Sequence, residues 1–157
     1  GYPRAVTASE IDPFWDHART LHPDLPAQPP EAWAFGATTE HADGLLAMVL
    51  AGTKTATASA LRDYESVGEP VPAVGDLSII LDGSGAPCAV LEVTDIQIVP
   101  FNQVTAEHAQ AEGEDDRTLA SWQRIHEPFW REHSATGFTA DMPVVCEGFR
   151  VVHAREG

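Results

Sequence analysis

Lysine is almost missing from this chain of 157 residues: of nine basic side chains, eight are arginine and one, Lys54, is lysine, against 24 Asp and Glu. The formal net charge of −15 opposes the cationic contacts and counterion release on which binding to a long nucleic acid depends. Extended wrapping of DNA or RNA is therefore not expected, whereas a small neutral substrate meets no such penalty. Cysteine is scarce as well. Cys88 and Cys146 have no metal-ligand spacing and are too few for a disulfide framework. Both sit in apolar, strand-like runs, where free cysteine behaves as a small buried hydrophobe. No apolar run approaches the roughly 20 residues that span a bilayer, and no basic start followed by an apolar stretch marks a signal peptide. The expectation is a cytoplasmic protein without a membrane partner.

Hydrophobic residues make up 43% and charged residues 21% of the chain, ordinary globular values that fit one α+β domain with a real core. Residues 11–22 read as a short amphipathic helix behind a possible capping box, Thr7-Ala8-Ser9-Glu10. Pro23, Pro26, Pro29 and Pro30 then mark a linker, so residues 1–30 are expected to be an appended helix and linker, and 31–153 the main domain. Leu45, Met48 and Val49 give helical spacing over 40–51, ended by Gly52. Strands are predicted at 75–81 and 87–99, joined by the turn Asp82-Gly83-Ser84-Gly85, and a last strand at 144–153. Helices are predicted at 105–112, capped by Thr105, and at 118–133, where Pro128 should kink or split the helix. Trp122, Phe129 and Trp130 fall on its apolar face, and His126 and His133 with them.

Gly52-Thr53-Lys54-Thr55 is not a phosphate loop, because that motif needs glycine immediately before the lysine and a strand ahead of it. Lys54-x-x-Thr57 is the more informative spacing. On one helical turn or a bent loop the two side chains could converge, and a neutral Lys54 amine could then take the Thr57 hydroxyl proton and make it a nucleophile. Lysine can lose its proton when buried and arginine cannot, which gives the single lysine a chemical reason. The alternative is a solvated lysine beside strand-forming threonines. Glu92 alternates with Cys88, Val90, Ile96 and Ile98 along the long strand. A carboxylate there is either paired in a site or exposed on an edge strand. Glu112-Gly113-Glu114-Asp115-Asp116 reads as a solvated loop with Asp115 or Asp116 as a helix cap, and it lacks the ligand spacing of a calcium loop. No metal or other cofactor is expected.

Trp33-Ala34-Phe35-Gly36, Ala42-Asp43-Gly44-Leu45-Leu46 and Gly52-Thr53-Lys54-Thr55-Ala56-Thr57 together resemble the opening of an ASCH domain. The likeness continues through Val74-Gly75-Asp76, Glu92-Val93-Thr94-Asp95, Val99-Pro100-Phe101 and Ala111-Glu112-Gly113-Glu114 to Trp122, His126 and Val145-Cys146-Glu147-Gly148-Phe149. The resemblance implies a PUA-like small β-barrel with helices packed outside, and an association with RNA. Some members of the family hydrolyse the amide of N4-acetylcytidine with a lysine, a threonine and a glutamate, and others cleave RNA. By motif position Lys54 matches the lysine and Thr57 the threonine, while Glu92 is the expected glutamate. Thr55, Ser59 and Arg62 are the expected substrate-binding residues; many relatives carry a basic residue where this chain has Ser59, and Arg62 could compensate. Three functions follow from the resemblance. One is an amidohydrolase on an acylated pyrimidine nucleoside, in which Glu92 orients Lys54 or protonates the leaving amine. The second is an RNA-binding module that uses Lys54, Arg62 and Arg117 or Arg124. The third is a ribonuclease. The partner expected is a nucleoside or an RNA-derived small molecule, with short RNA as an alternative.

Overall fold

Helical and strand spacings of apolar residues give, in the computed structural model of this chain, which describes residues 8–156, five strands and five α-helices. In chain order they are α1 (Ala8–Leu21), β1 (Ala32–Trp33), α2 (Thr39–Ala51), β2 (Ala56–Ala60) and α3 (Leu61–Val67). Then come β3 (Leu77–Leu81), β4 (Pro87–Pro100), α4 (Ala106–Glu112), α5 (Leu119–His133) and β5 (Pro143–Ala154). The predicted hairpin forms between β3 and β4, antiparallel from Leu77 opposite Glu92 to Leu81 opposite Pro87. Its five-residue connection, one longer than the predicted turn, is ordered by Asp82, whose carboxylate accepts from the amides of Ser84 and Ala86 at 2.9 and 3.0 Å. Such an Asx arrangement gives the turn backbone a local partner.

The strands pair in the order β1-β3-β4-β5-β2, with β1 parallel to β3 and β2 antiparallel to β5. The sheet is open, so the closed small barrel expected from the sequence is not what the described residues form. With two residues, β1 presents too short an edge for the continuous staggered ladder that a barrel needs. The mixed α/β make-up is as expected. No helix among the described residues is long and apolar enough to cross a membrane.

The chain divides into two compact units, one of residues up to Ala51, Leu77–Glu92 and Arg150 onward, the other of Gly52–Asp76 and Val93–Phe149. In the first, Phe14, Trp15 and Ala18 of α1 share a core with Ala42, Ile79, Leu81 and Val90. Trp15 is 1% exposed and its indole N–H donates to the Pro26 carbonyl at 2.9 Å, so α1 and the proline-rich segment are part of this unit's core. The capping box read at 7–10 begins outside the described residues.

In the second unit, Phe101, Val104, Trp122, Trp130, Val144 and Cys146 form the core. Thr105 caps α4 by accepting from the His108 amide at 3.1 Å, and Gly113, at φ 79°, ends it. Thr118, rather than Asp115 or Asp116, caps α5 by accepting from the Ser121 amide. Asp116 instead accepts from the Thr118 amide and hydroxyl. Pro128 does not split α5. Pro128 and Arg124 are both exposed, so the Arg124 carbonyl that loses an amide partner can take water instead.

Candidate functional site

Gly52, at φ 82°, turns the chain out of α2, and the Thr55 amide then donates to the Ala111 carbonyl of α4 at 2.7 Å. This turn buries Lys54. Its side chain is 2% exposed, and Nζ donates to the carbonyl of Ala56, the residue before Thr57, at 2.9 Å. A buried ammonium is costly unless paired. Nζ lies 3.7 Å from Glu112 Oε1 and 3.9 Å from Glu114 Oε2, with the Glu112 carbonyl at 3.4 Å.

Glu112, 1% exposed at the last residue of α4, is the centre of this polar cluster. Its Oε2 accepts from the Trp122 indole N–H at 2.5 Å and meets His108 Nε2 at 2.6 Å. Its Oε1 faces His126 Nε2 at 3.4 Å. His126 lies on the Trp122 ring, 4.3 Å between centroids, and its Nδ1 donates to the Trp122 carbonyl at 2.8 Å. Burial alone would push the Glu112 carboxyl up. Hydrogen bonds from His108 and His126, with the charges of His126 and Lys54, outweigh it and hold Glu112 well below the usual carboxylate range. Burial likewise disfavours charge on His126, but the hydrogen bond and charge of Glu112 prevail and raise its pKa. Glu112 is thus a fixed anion.

Glu112, Glu114 and His126 bring their ligand atoms within 4.8 Å of one another, the spacing of a metal site. The Lys54 ammonium already sits against both carboxylates, and the cluster's charges are balanced from within. An added divalent cation would be repelled by Lys54 and would have to displace it.

The sequence-based candidates fall in different places. Lys54 and Thr57 are successive parts of one turn and strand. Thr57, half-buried on β2, stands directly across from Glu147 on β5. Directly paired residues point to the same face of a sheet, with Cβ atoms about 5 Å apart. Ser59 is on that face too and hydrogen-bonds Tyr64, whose hydroxyl burial pushes to a higher pKa. Thr55 is exposed, and Arg62 is half-buried on α3. Glu92 belongs to the first unit, where it accepts from Arg150 Nε at 2.7 Å with its side chain 30% exposed. The carboxylates beside Lys54 are Glu112 and Glu114.

Sequence reasoning read Glu112 as part of a solvated acidic loop. One signal could have found it: His108 and Glu112 are four residues apart on a helix, the spacing of a facing pair. Cys146, on the face of β5 opposite to Glu147, is buried, and burial followed by the charges of Glu112 and Asp95 pushes its thiol up to about 12. Such a thiol is a poor nucleophile.

Residues 31–153 match the family model of the ASCH domain. A search of curated proteins gives no match. Among solved structures, the chain is similar to protein EF3133 from Enterococcus faecalis V583, of family DUF984. Identity is 36% and the TM-score 0.84, over 92% of this chain and 89% of that one. It is also similar to an ASCH domain from Lactobacillus crispatus JV V101, with 28% identity and a TM-score of 0.83, over 93% of this chain and 96% of that one. On the family match, and on the 36% identity across nearly its whole length, the chain belongs to the ASCH domain family.

Proposed function

We propose that this protein hydrolyses the amide of an acylated pyrimidine nucleoside such as N4-acetylcytidine, with Thr57 as nucleophile and Lys54 as the group that takes its proton. The observation that carries this reading is the burial of the chain's single lysine, with Nζ bonded to the carbonyl immediately before Thr57 and set against two carboxylates. A surface lysine would need none of this. Glu112 replaces Glu92 as the orienting carboxylate. Because it is held ionised by three donors besides Lys54, it anchors the amine rather than shuttling a proton. Glu114, with a side chain 18% exposed, is the better route for a proton between Lys54 and water.

In this reading the Lys54 ammonium first loses a proton to water by way of Glu114, and the neutral amine is the form that reacts. It accepts the hydroxyl proton as Thr57 Oγ attacks the acyl carbonyl, giving an acyl-threonine that water then cleaves. The net charge of −15 favours a nucleoside, which carries no phosphate, over a polynucleotide. The test is incubation with N4-acetylcytidine and, separately, with a short RNA. Release of cytidine and acetate with intact RNA supports the proposal. Strand cleavage, or binding of RNA without any turnover, would replace it with the ribonuclease or the RNA-binding reading.

A further inference from the structure

A third carboxyl at this site has no part in the chemistry so far. Glu147 is 9% exposed, sits on β5 directly across from Thr57, and shares its face of the sheet. Among the described residues no hydrogen bond or ion pair ends on its side chain; the charges of the N-terminal amine, Asp76 and Lys54 act on it, and its own charge acts on Tyr64. Burying a carboxyl without a partner costs free energy unless it stays protonated or a ligand supplies the partner. Glu112, on the same unit, shows what the chain does with a carboxyl that must stay ionised: it surrounds it with donors. No such donor among the described residues reaches Glu147, and it lies across from the proposed nucleophile.

Given amide hydrolysis at Thr57, as proposed above, we infer that Glu147 is a catalytic acid that donates a proton to the departing amine nitrogen of the substrate. Thr57 Oγ bonds to the acyl carbon and its proton passes to the neutral amine of Lys54. The C–N bond breaks as the Glu147 carboxyl gives its proton to the nitrogen, leaving Lys54 as ammonium and Glu147 as carboxylate. Water then attacks the acyl-threonine and gives its proton to Glu147. The ester C–O bond breaks and Lys54 returns its proton to the Thr57 oxygen, so both groups end as they began. Burial, opposed by the charge of the N-terminal amine, aided by that of Asp76 and opposed again by that of Lys54, pushes the Glu147 carboxyl up on balance, in the sense that such a donor needs.

The role makes a distinction between leaving groups. An amide nitrogen departs only with a proton, while 4-nitrophenolate departs without one. The acylating step alone, read as the first equivalent of cytidine released from N4-acetylcytidine or of 4-nitrophenolate from 4-nitrophenyl acetate, is measured for the wild type, Thr57→Ala and Glu147→Gln, since deacylation is common to both substrates. Glutamine keeps the volume of the side chain and cannot donate the proton. The expected result is loss of both reactions in Thr57→Ala. In Glu147→Gln the amide reaction should fall about 100-fold or more, the ordinary contribution of a general acid, with the ester reaction within about threefold of wild type. Equal rates on both substrates in Glu147→Gln would overturn the donor role while leaving the hydrolase reading standing. Equal losses on both would overturn it in favour of a binding or structural role. A wild type that cleaves neither probe would remove the hydrolase reading and this inference with it.

Discussion

Two buried carboxyls of the same unit titrate in opposite directions. At the end of α4, Glu112 is almost fully buried yet held ionised, because an indole N–H, two imidazoles and an ammonium converge on its oxygens. On the β2–β5 face, Glu147 is nearly as buried and its pKa is raised, because burial outweighs the charges of the N-terminal amine and Lys54, and no hydrogen-bond donor among the described residues reaches it. Burial by itself therefore says little about the charge of a carboxyl; the donors brought to it decide. The first arrangement suits an anchor for Lys54 and the second a proton donor beside Thr57.

The largest expected effect breaks the site where the two regions meet. Thr57→Ala should lower N4-acetylcytidine turnover by roughly a thousandfold or more, with an unchanged unfolding midpoint in urea. Lys54→Arg should come close to it, since arginine keeps the charge and cannot accept the proton. Full activity in Lys54→Arg would reject the base role.

Next in size is the effect on stability, where the two carboxyls should differ in sign. Glu112→Gln leaves the buried Lys54 and His126 without their anion and should destabilise the fold by about 3–5 kcal/mol, the usual cost of breaking a buried pair. Glu147→Gln should hold or raise stability at pH 7, because it removes a carboxyl whose ionisation the fold disfavours. Urea unfolding of both variants at pH 7 checks the pair, and equal losses would show that the contrast is wrong.

The same contrast appears in pH dependence. Glu112 has a depressed folded pKa, so its contribution is complete above its unfolded value near 4.5 and is lost as pH falls through the folded one. His126 has a raised folded pKa; its contribution is complete below its unfolded value near 6.5 and is lost as pH rises through the folded one. Glu147 has the opposite sign to Glu112, and stability is lost as pH rises above about 4.5 toward its folded pKa. Unfolding free energies measured from pH 2 to 9 should show the acid loss diminished in Glu112→Gln. The decline above pH 4.5 should be diminished in Glu147→Gln.

The smallest effect concerns Glu92. Its pair with Arg150 is partly exposed, and Glu92→Gln should change stability by less than about 1 kcal/mol. Turnover by that variant separates the two candidate anchors: a loss as large as that of Glu112→Gln would return the catalytic carboxylate to Glu92.

What could be read from the sequence follows the range of the interactions. Helices α2, α4 and α5 and the β3–β4 hairpin carry local signals, such as Gly52, Thr105, Thr118 and the Asp82 turn, and their bounds fall within a few residues of expectation. Lys54 and Thr57 were legible because they are close in sequence and one is the chain's only lysine. Strand β2 was not, since Ala-Thr-Ala-Ser-Ala has little strand character of its own and is held by pairing with β5. The facing of Thr57 and Glu147 depends on that register, which joins segments far apart in sequence and has no local mark. Glu92 was misleading for a related reason. Residues 87–91 of β4 are buried on both faces, so alternation there does not separate a site face from a solvent face.

The most direct measurement is mass spectrometry of the protein quenched with acid during turnover of N4-acetylcytidine. The account predicts an acetyl group on the peptide that contains Thr57, enriched when deacylation is slowed, and no such adduct in Thr57→Ala. Cytidine release without any acetylated peptide, undiminished in Thr57→Ala, would contradict it.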